Sequence, residues 1–164
     1  MTESTSAPSH PAPSHPAPAP DLADRGDVEA LVRAFYRRAF ADDLLGPVFR
    51  DARMDLEAHL PVMCDFWQTV LFRAGLYRRN ALAIHADLHA AAPLRSEHFA
   101  RWLALWTGTV DDCFVGPKAE LAKTQAGCIA YSISRRLLGE SGSEFVTLQR
   151  HPRRPTQPTQ SAQP

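Results

Sequence analysis

The chain has 164 residues, 18 Lys+Arg against 18 Asp+Glu and a formal net charge of zero, so it carries no field for gripping nucleic acid or anionic lipid. Its hydrophobic content of 45% is enough for one core, and no run approaches the roughly 18 apolar residues that a membrane-spanning helix needs. The start, MTESTSAPSH, has neither a basic opening nor an apolar segment, so no secretory signal is expected and a cytoplasmic setting is. Cys64, Cys113 and Cys128 are odd in number and widely spaced, which reads as small core residues in a reducing compartment.

Residues 1–21 are low in complexity. APSHP occurs at Ala7–Pro11 and again at Ala12–Pro16, and six of the 14 prolines fall here. A second proline-rich segment, 140–164, ends HPRRPTQPTQSAQP. Such segments have too little apolar surface to offset the entropy of ordering, so both are expected to be disordered tails around a folded unit at 22–139.

Within that unit Asp27 is the expected N-cap of a first helix whose apolar face is Val28, Leu31, Val32, Phe35, Tyr36, Ala39 and Phe40. Leu44–Phe49 contains Gly46-Pro47 and reads as a tight apolar corner that turns Phe49 inward. From Asp55 to Gly75 the residues Leu56, His59, Leu60, Met63, Trp67, Val70, Leu71 and Ala74 recur at helical spacing, with Pro61 predicting a loose first turn. A polar break at Gly75–Asn80 precedes a short helix carrying Leu82, His85, Leu88 and His89. After a loop around Pro93, Ser96 is the expected cap of a helix with Phe99, Trp102, Leu103, Trp106, Val110 and Cys113 on one stripe. Gly116-Pro117 opens the last helix and Gly139 closes it. No segment alternates like a strand, so the fold class is all-α.

Tyr36, His59, His85 and Trp102 place polar groups on apolar faces of four different helices, without carboxylates on the same stripes. One histidine on such a face is ordinarily a satisfied core residue; several invite a site. His85 and His89 are four apart and could share a zinc ion, but further ligands at suitable spacing are lacking. The three cysteines sit in helical patterns rather than on nucleophile turns. Haem needs one imidazole, an apolar slot and a distal side with few polar groups. The chain has those parts, and spacing alone does not choose among the readings.

The segment AHLPVMCDFW, Ala58–Trp67, resembles the distal-helix signature of group III truncated haemoglobins. Three further stretches resemble the same family in the same order: AFYRRAFADDLLGPVF (Ala34–Phe49), FRAGLYRRNALAIHADL (Phe72–Leu88) and HFARWLALW (His98–Trp106). The resemblance spans nearly all of 27–138. It implies a truncated globin fold, two helices crossed over two, holding haem b (iron protoporphyrin IX). By position, His85 would be the proximal iron ligand, Tyr36 and Trp102 distal hydrogen-bond donors, and His59 a distal-side residue. Phe49 would pack on the haem face, and Phe35, Leu60, Met63, Phe66, Ile84, Leu88 and Trp106 would be pocket-wall residues.

The family reading implies reversible binding of dioxygen or another small diatomic gas, with oxygen transport as one use. Redox chemistry on the ligand is a second, as a nitric oxide dioxygenase or peroxidase-like activity supplied by an electron-donor reductase. The alternatives are an oxygen store or sensor without turnover and a haem-free helical interaction module. A proximal imidazole needs an acceptor for its other nitrogen, expected at the backbone carbonyl one turn earlier near Ala81. Arg53, Arg78 and Arg79 are candidates for the haem propionates.

Overall fold

A computed structural model describes residues 19–139; the two expected tails otherwise lie outside the described residues. Six helices follow one another: α1 Arg25–Ala41, α2 Leu45–Asp51, α3 Leu56–Phe72, α4 Ala81–Ala91, α5 Ser96–Cys113 and α6 Pro117–Leu138. No strand occurs among the described residues, as the missing alternation predicts.

Helix α1 begins earlier than expected. Asp24 is the cap, and Asp27, in the third helical position, reaches back to complete a reciprocal capping box. Gly46-Pro47 does not form a simple corner. Both lie in the first turn of α2, where a missing amide costs no helical bond, and Asp42 Oδ1 accepts from the Leu44 and Leu45 N–H groups at 3.1 and 3.0 Å. Pro61 does not loosen α3 either: the Asp55 side chain caps its first turn, and His59 N–H donates to Asp55 O at 3.0 Å. The stripe of α3 buries Leu60, Cys64, Trp67 and Leu71, whereas Ala74 falls beyond the helix and is exposed. Ser96 is the first helical residue of α5 rather than its cap; His98 Nδ1 accepts the Arg95 N–H at 2.9 Å and takes over that task.

Helices α1 and α3 pack together, α5 and α6 pack together, and the pairs meet through α1 on α5 and α3 on α6. This is the two-over-two sandwich. Its centre is aromatic: Trp67 of α3 stacks on Trp106 of α5 at 4.2 Å and 10°, with Phe35 of α1 edge-on to Trp106 at 5.3 Å. Alanines 119, 122, 126 and 130 give α6 a smooth face that lets it lie close to this layer. Cys64 is buried, but Cys128 is exposed, so the core reading of the cysteines fails there: Cys128 lies off the alanine stripe.

The folded unit also begins before Leu22. Pro20 O accepts the Val115 N–H, and Asp21 accepts from the Lys118 and Ala119 N–H groups at 2.9 Å each, capping α6 across 97 and 98 residues. The close pass is possible because Gly116 has no Cβ; one would run into the Asp21 carboxylate. Helix α4 is the exception to this tight packing. Its closest backbone approach is to α6, and it contributes no fully buried residue although its sequence is largely apolar.

Candidate functional site

The candidate residues lie on α1, α3 and α5 and on α4, whose backbone makes no close approach to α3. Asn80 caps α4 through its side chain, accepting from Ala83 N–H at 3.1 Å, and so sets where the helix starts after the 73–80 loop. His85 follows one turn later, half-buried, with Nδ1 2.7 Å from Ala81 O. A carbonyl only accepts, so Nδ1 carries the hydrogen and Nε2 keeps its lone pair. This is the second interaction expected of a metal-binding imidazole. The apolar residues beside it divide. Leu82 and Leu88 pack against Leu94, Phe99 and Ile133, while Ile84 is 46% exposed. His89, the other candidate for a shared metal, accepts the Leu94 N–H at 3.0 Å and closes the helix end instead.

Opposite, α1 and α3 present a polar pair set in aromatic surroundings. The Tyr36 hydroxyl lies 3.0 Å from His59 Nε2, and the Tyr36 ring is edge-on to Phe35 at 5.1 Å and to Phe49 at 5.8 Å. Phe49 is partly buried and also packs on Phe40 at 5.2 Å, so α2 does turn it inward. Burial pushes the Tyr36 phenol well above its ordinary range, so it stays protonated and able to donate. Burial, followed by the positive charge of Arg79, pulls the His59 imidazole below its usual value, which favours its neutral form.

Trp102 is half-buried, and its ring is edge-on to Phe35 at 5.6 Å, the same phenylalanine that Tyr36 packs on. Met63 and Phe66 of α3 are partly buried at the edge of the core. Phe35, Leu60 and Trp106 lie fully inside it, 1%, 3% and 1% exposed, and act as backing. Sequence spacing singled out Tyr36, His59, His85 and Trp102 separately. It missed Tyr77, whose ring sits 5.0 Å from Phe66, because a tyrosine in a polar loop carries no periodic signal. It also missed that Trp67, Trp102 and Trp106 are parallel to one another.

The residues present fit haem: an imidazole with its far nitrogen anchored, an apolar helix with an uncovered side, and a neutral donor pair opposite. No group of three or more His, Cys, Asp or Glu side chains suited to a metal ion occurs among the described residues. No helix of the described residues is long and apolar enough to cross a membrane.

No family model and no curated protein matches the sequence. The structure is similar to the crystal structure of the group III truncated hemoglobin from Campylobacter jejuni, with a TM-score of 0.64 and 25% identity over 71% of this chain and 92% of that one.

Proposed function

We propose that this chain, which has the truncated globin fold, binds haem b between α3 and α4 and uses it to hold dioxygen or another diatomic ligand. The observation that carries the reading is His85: its Nδ1–H is fixed on Ala81 O at 2.7 Å, on the one helix that has no fully buried residue. When bound, the group supplies an iron centre that takes a small gas and exchanges electrons. His85 Nε2 holds it from the α4 side, and Ile84 and Leu88 give that side apolar contact. On the other side Phe49, Met63 and Phe66 provide the wall, and Phe35, Leu60 and Trp106 back it.

The distal residues then act on the ligand. A diatomic ligand carrying partial negative charge accepts hydrogen bonds, and the neutral phenol of Tyr36 and the indole of Trp102 are the donors. His59 orients Tyr36 through their shared hydrogen bond. Its tautomer decides whether the phenol hydrogen points to Nε2 or is released toward the ligand. Two such donors favour retention over easy delivery, so redox turnover of the ligand is the preferred use over an oxygen store or sensor. Arg79, whose charge reaches His59, is a candidate for the propionates.

Titration of the purified protein with haemin tests the reading. One equivalent should give a Soret band, and His85→Ala should lose that coordination while far-ultraviolet dichroism stays helical. A colourless protein that gains no band would identify a haem-free helical module. Mixing the oxygenated protein with nitric oxide separates the uses: rapid formation of nitrate and ferric protein supports turnover, and slow oxidation supports storage.

A further inference from the structure

All three tryptophans of the chain share one stack. Trp102 lies parallel to Trp106 at 5.9 Å and 3°, and Trp106 lies parallel to Trp67 at 4.2 Å and 10°. The series continues through Phe66, 5.3 Å from Trp67, to Tyr77, 5.0 Å from Phe66. It therefore runs from a half-buried indole beside the distal residues, through two fully buried ones, to a half-buried phenol in the 73–80 loop. Ring centroids 4.2–5.9 Å apart at every step leave no gap too wide for an electron to cross by hopping.

Trp67 has a second feature. Its Nε1–H is buried without any partner, whereas Trp106 Nε1 donates to Ala122 O at 3.3 Å. An indole that loses an electron is trapped as a neutral radical only if it can hand its proton to a base, and the Ala122 carbonyl at Trp106 is too weakly basic to take one. Trp67 has none, so a hole reaching it keeps its proton and moves on. Tyr77 is where it stops, because a phenol beside solvent can release its proton. The surrounding loop carries Arg73, Arg78 and Arg79, all exposed, and none pairs with a carboxylate among the described residues.

We propose that Trp102, Trp106, Trp67 and Tyr77 form a hole-transfer relay through which anionic one-electron donors, gathered at the 73–79 arginines, reduce hydrogen peroxide in the site. The oxidant side of this rests on the haem reading; the relay itself does not. Peroxide is reduced to two waters with two electrons and two protons. Each electron leaves Trp102, and the hole passes to Trp106, then Trp67, then Tyr77, which releases its proton as it is oxidised. A donor monoanion AH⁻ of the enediolate class returns an electron to Tyr77 and gives up a proton, restoring the phenol. The sum is H2O2 + 2 AH⁻ → 2 H2O + 2 A•⁻. The fixed positive charges of Arg73 and Arg78 raise the local concentration of such anions.

Pulse radiolysis with the azide radical tests the relay whether or not haem binds, since it oxidises indoles directly. The full chain should show indolyl absorption converting to phenoxyl in a phase independent of protein concentration. Tyr77→Phe and Trp67→Phe should each abolish that phase with helicity retained. An unchanged phase in Tyr77→Phe would put the sink at another tyrosine and overturn the relay, and an unchanged phase in Trp67→Phe would overturn its route. Should Trp67→Phe fail to fold, Tyr77→Phe decides. On the haem-loaded chain, peroxide with a nitrone spin trap should give an adduct mapped by mass spectrometry to Tyr77. Arg73→Gln with Arg78→Gln should raise KM for ascorbate and not for neutral hydroquinone; equal KM changes would overturn the anionic-donor assignment. Absence of a Soret band would overturn the haem reading and the peroxide role with it, while the radiolysis result would still stand.

Discussion

The Tyr36 hydroxyl and His59 Nε2 are 3.0 Å apart, joining α1 to α3 at the edge of the aromatic layer. Neither residue has another side-chain hydrogen-bond partner among the described residues, and burial favours the neutral form of both. The pair therefore shares one hydrogen that can be committed to the imidazole or offered to a third group. That makes the distal side adjustable without a large movement.

If Tyr36 and Trp102 donate to the ligand, each bond resembles a charge-assisted one of about 1.5–3 kcal/mol. Tyr36→Phe and Trp102→Phe should then each speed oxygen release by about ten-fold or more, at about 1.4 kcal/mol per factor of ten. Stopped-flow displacement of oxygen by carbon monoxide measures this. Rates equal to the parent's would place the donors elsewhere.

His59 makes stability depend on pH. Its folded-state value lies below the ordinary one, so the unfolded chain takes up the proton first as pH falls. Its contribution is complete above about pH 6.5, the unperturbed value, and is lost as pH drops through the lowered folded-state value. Urea midpoints of the haem-free protein should decline over that window, and His59→Gln should flatten the decline. An equal slope in the variant would show that other groups control it.

Asp21 ties the start of the chain to α6 through two N–H acceptances at 2.9 Å. Asp21→Ala should cost about 1 kcal/mol, or about 2–4 °C in Tm for a chain of this size. Differential scanning calorimetry checks it. A variant as stable as the parent would mean that water replaces the cap without loss.

Leu31 and Ile84 separate stability from ligand binding. Leu31 is 0% exposed in the core, so Leu31→Ala should cost about 2–5 kcal/mol. Ile84 is 46% exposed, so Ile84→Ala should change the stability of the haem-free protein by no more than about 0.5 kcal/mol. It should nevertheless speed haem loss to an apoglobin acceptor. Unaltered haem loss would remove Ile84 from the pocket wall.

The helices themselves could be read along the chain, because each is specified by local matters: apolar periodicity, a proline at the start of α6, a glycine in left-handed conformation after it. The bond from His85 Nδ1 to Ala81 O was legible for the same reason, since it spans one helical turn. Where local reading erred, a neighbouring side chain outbid the expected one, as Asp24 did for Asp27 and His98 for Ser96. The order of similar segments along the chain also pointed to the two-over-two arrangement.

Tertiary structure alone decided which groups meet. Tyr36 and His59 are 23 residues apart, Asp21 and Lys118 are 97 apart, and the stacked tryptophans come from two helices. Periodicity says which face of a helix is buried, but not which helix covers it or at what angle. Those follow from the packing of all six at once, which leaves α4 without a fully buried residue and brings Tyr36 of α1 against His59 of α3. The chain's own pattern thus determined the elements and the candidate residues, and the meeting of Tyr36 with His59 came from long-range packing that no local pattern encodes.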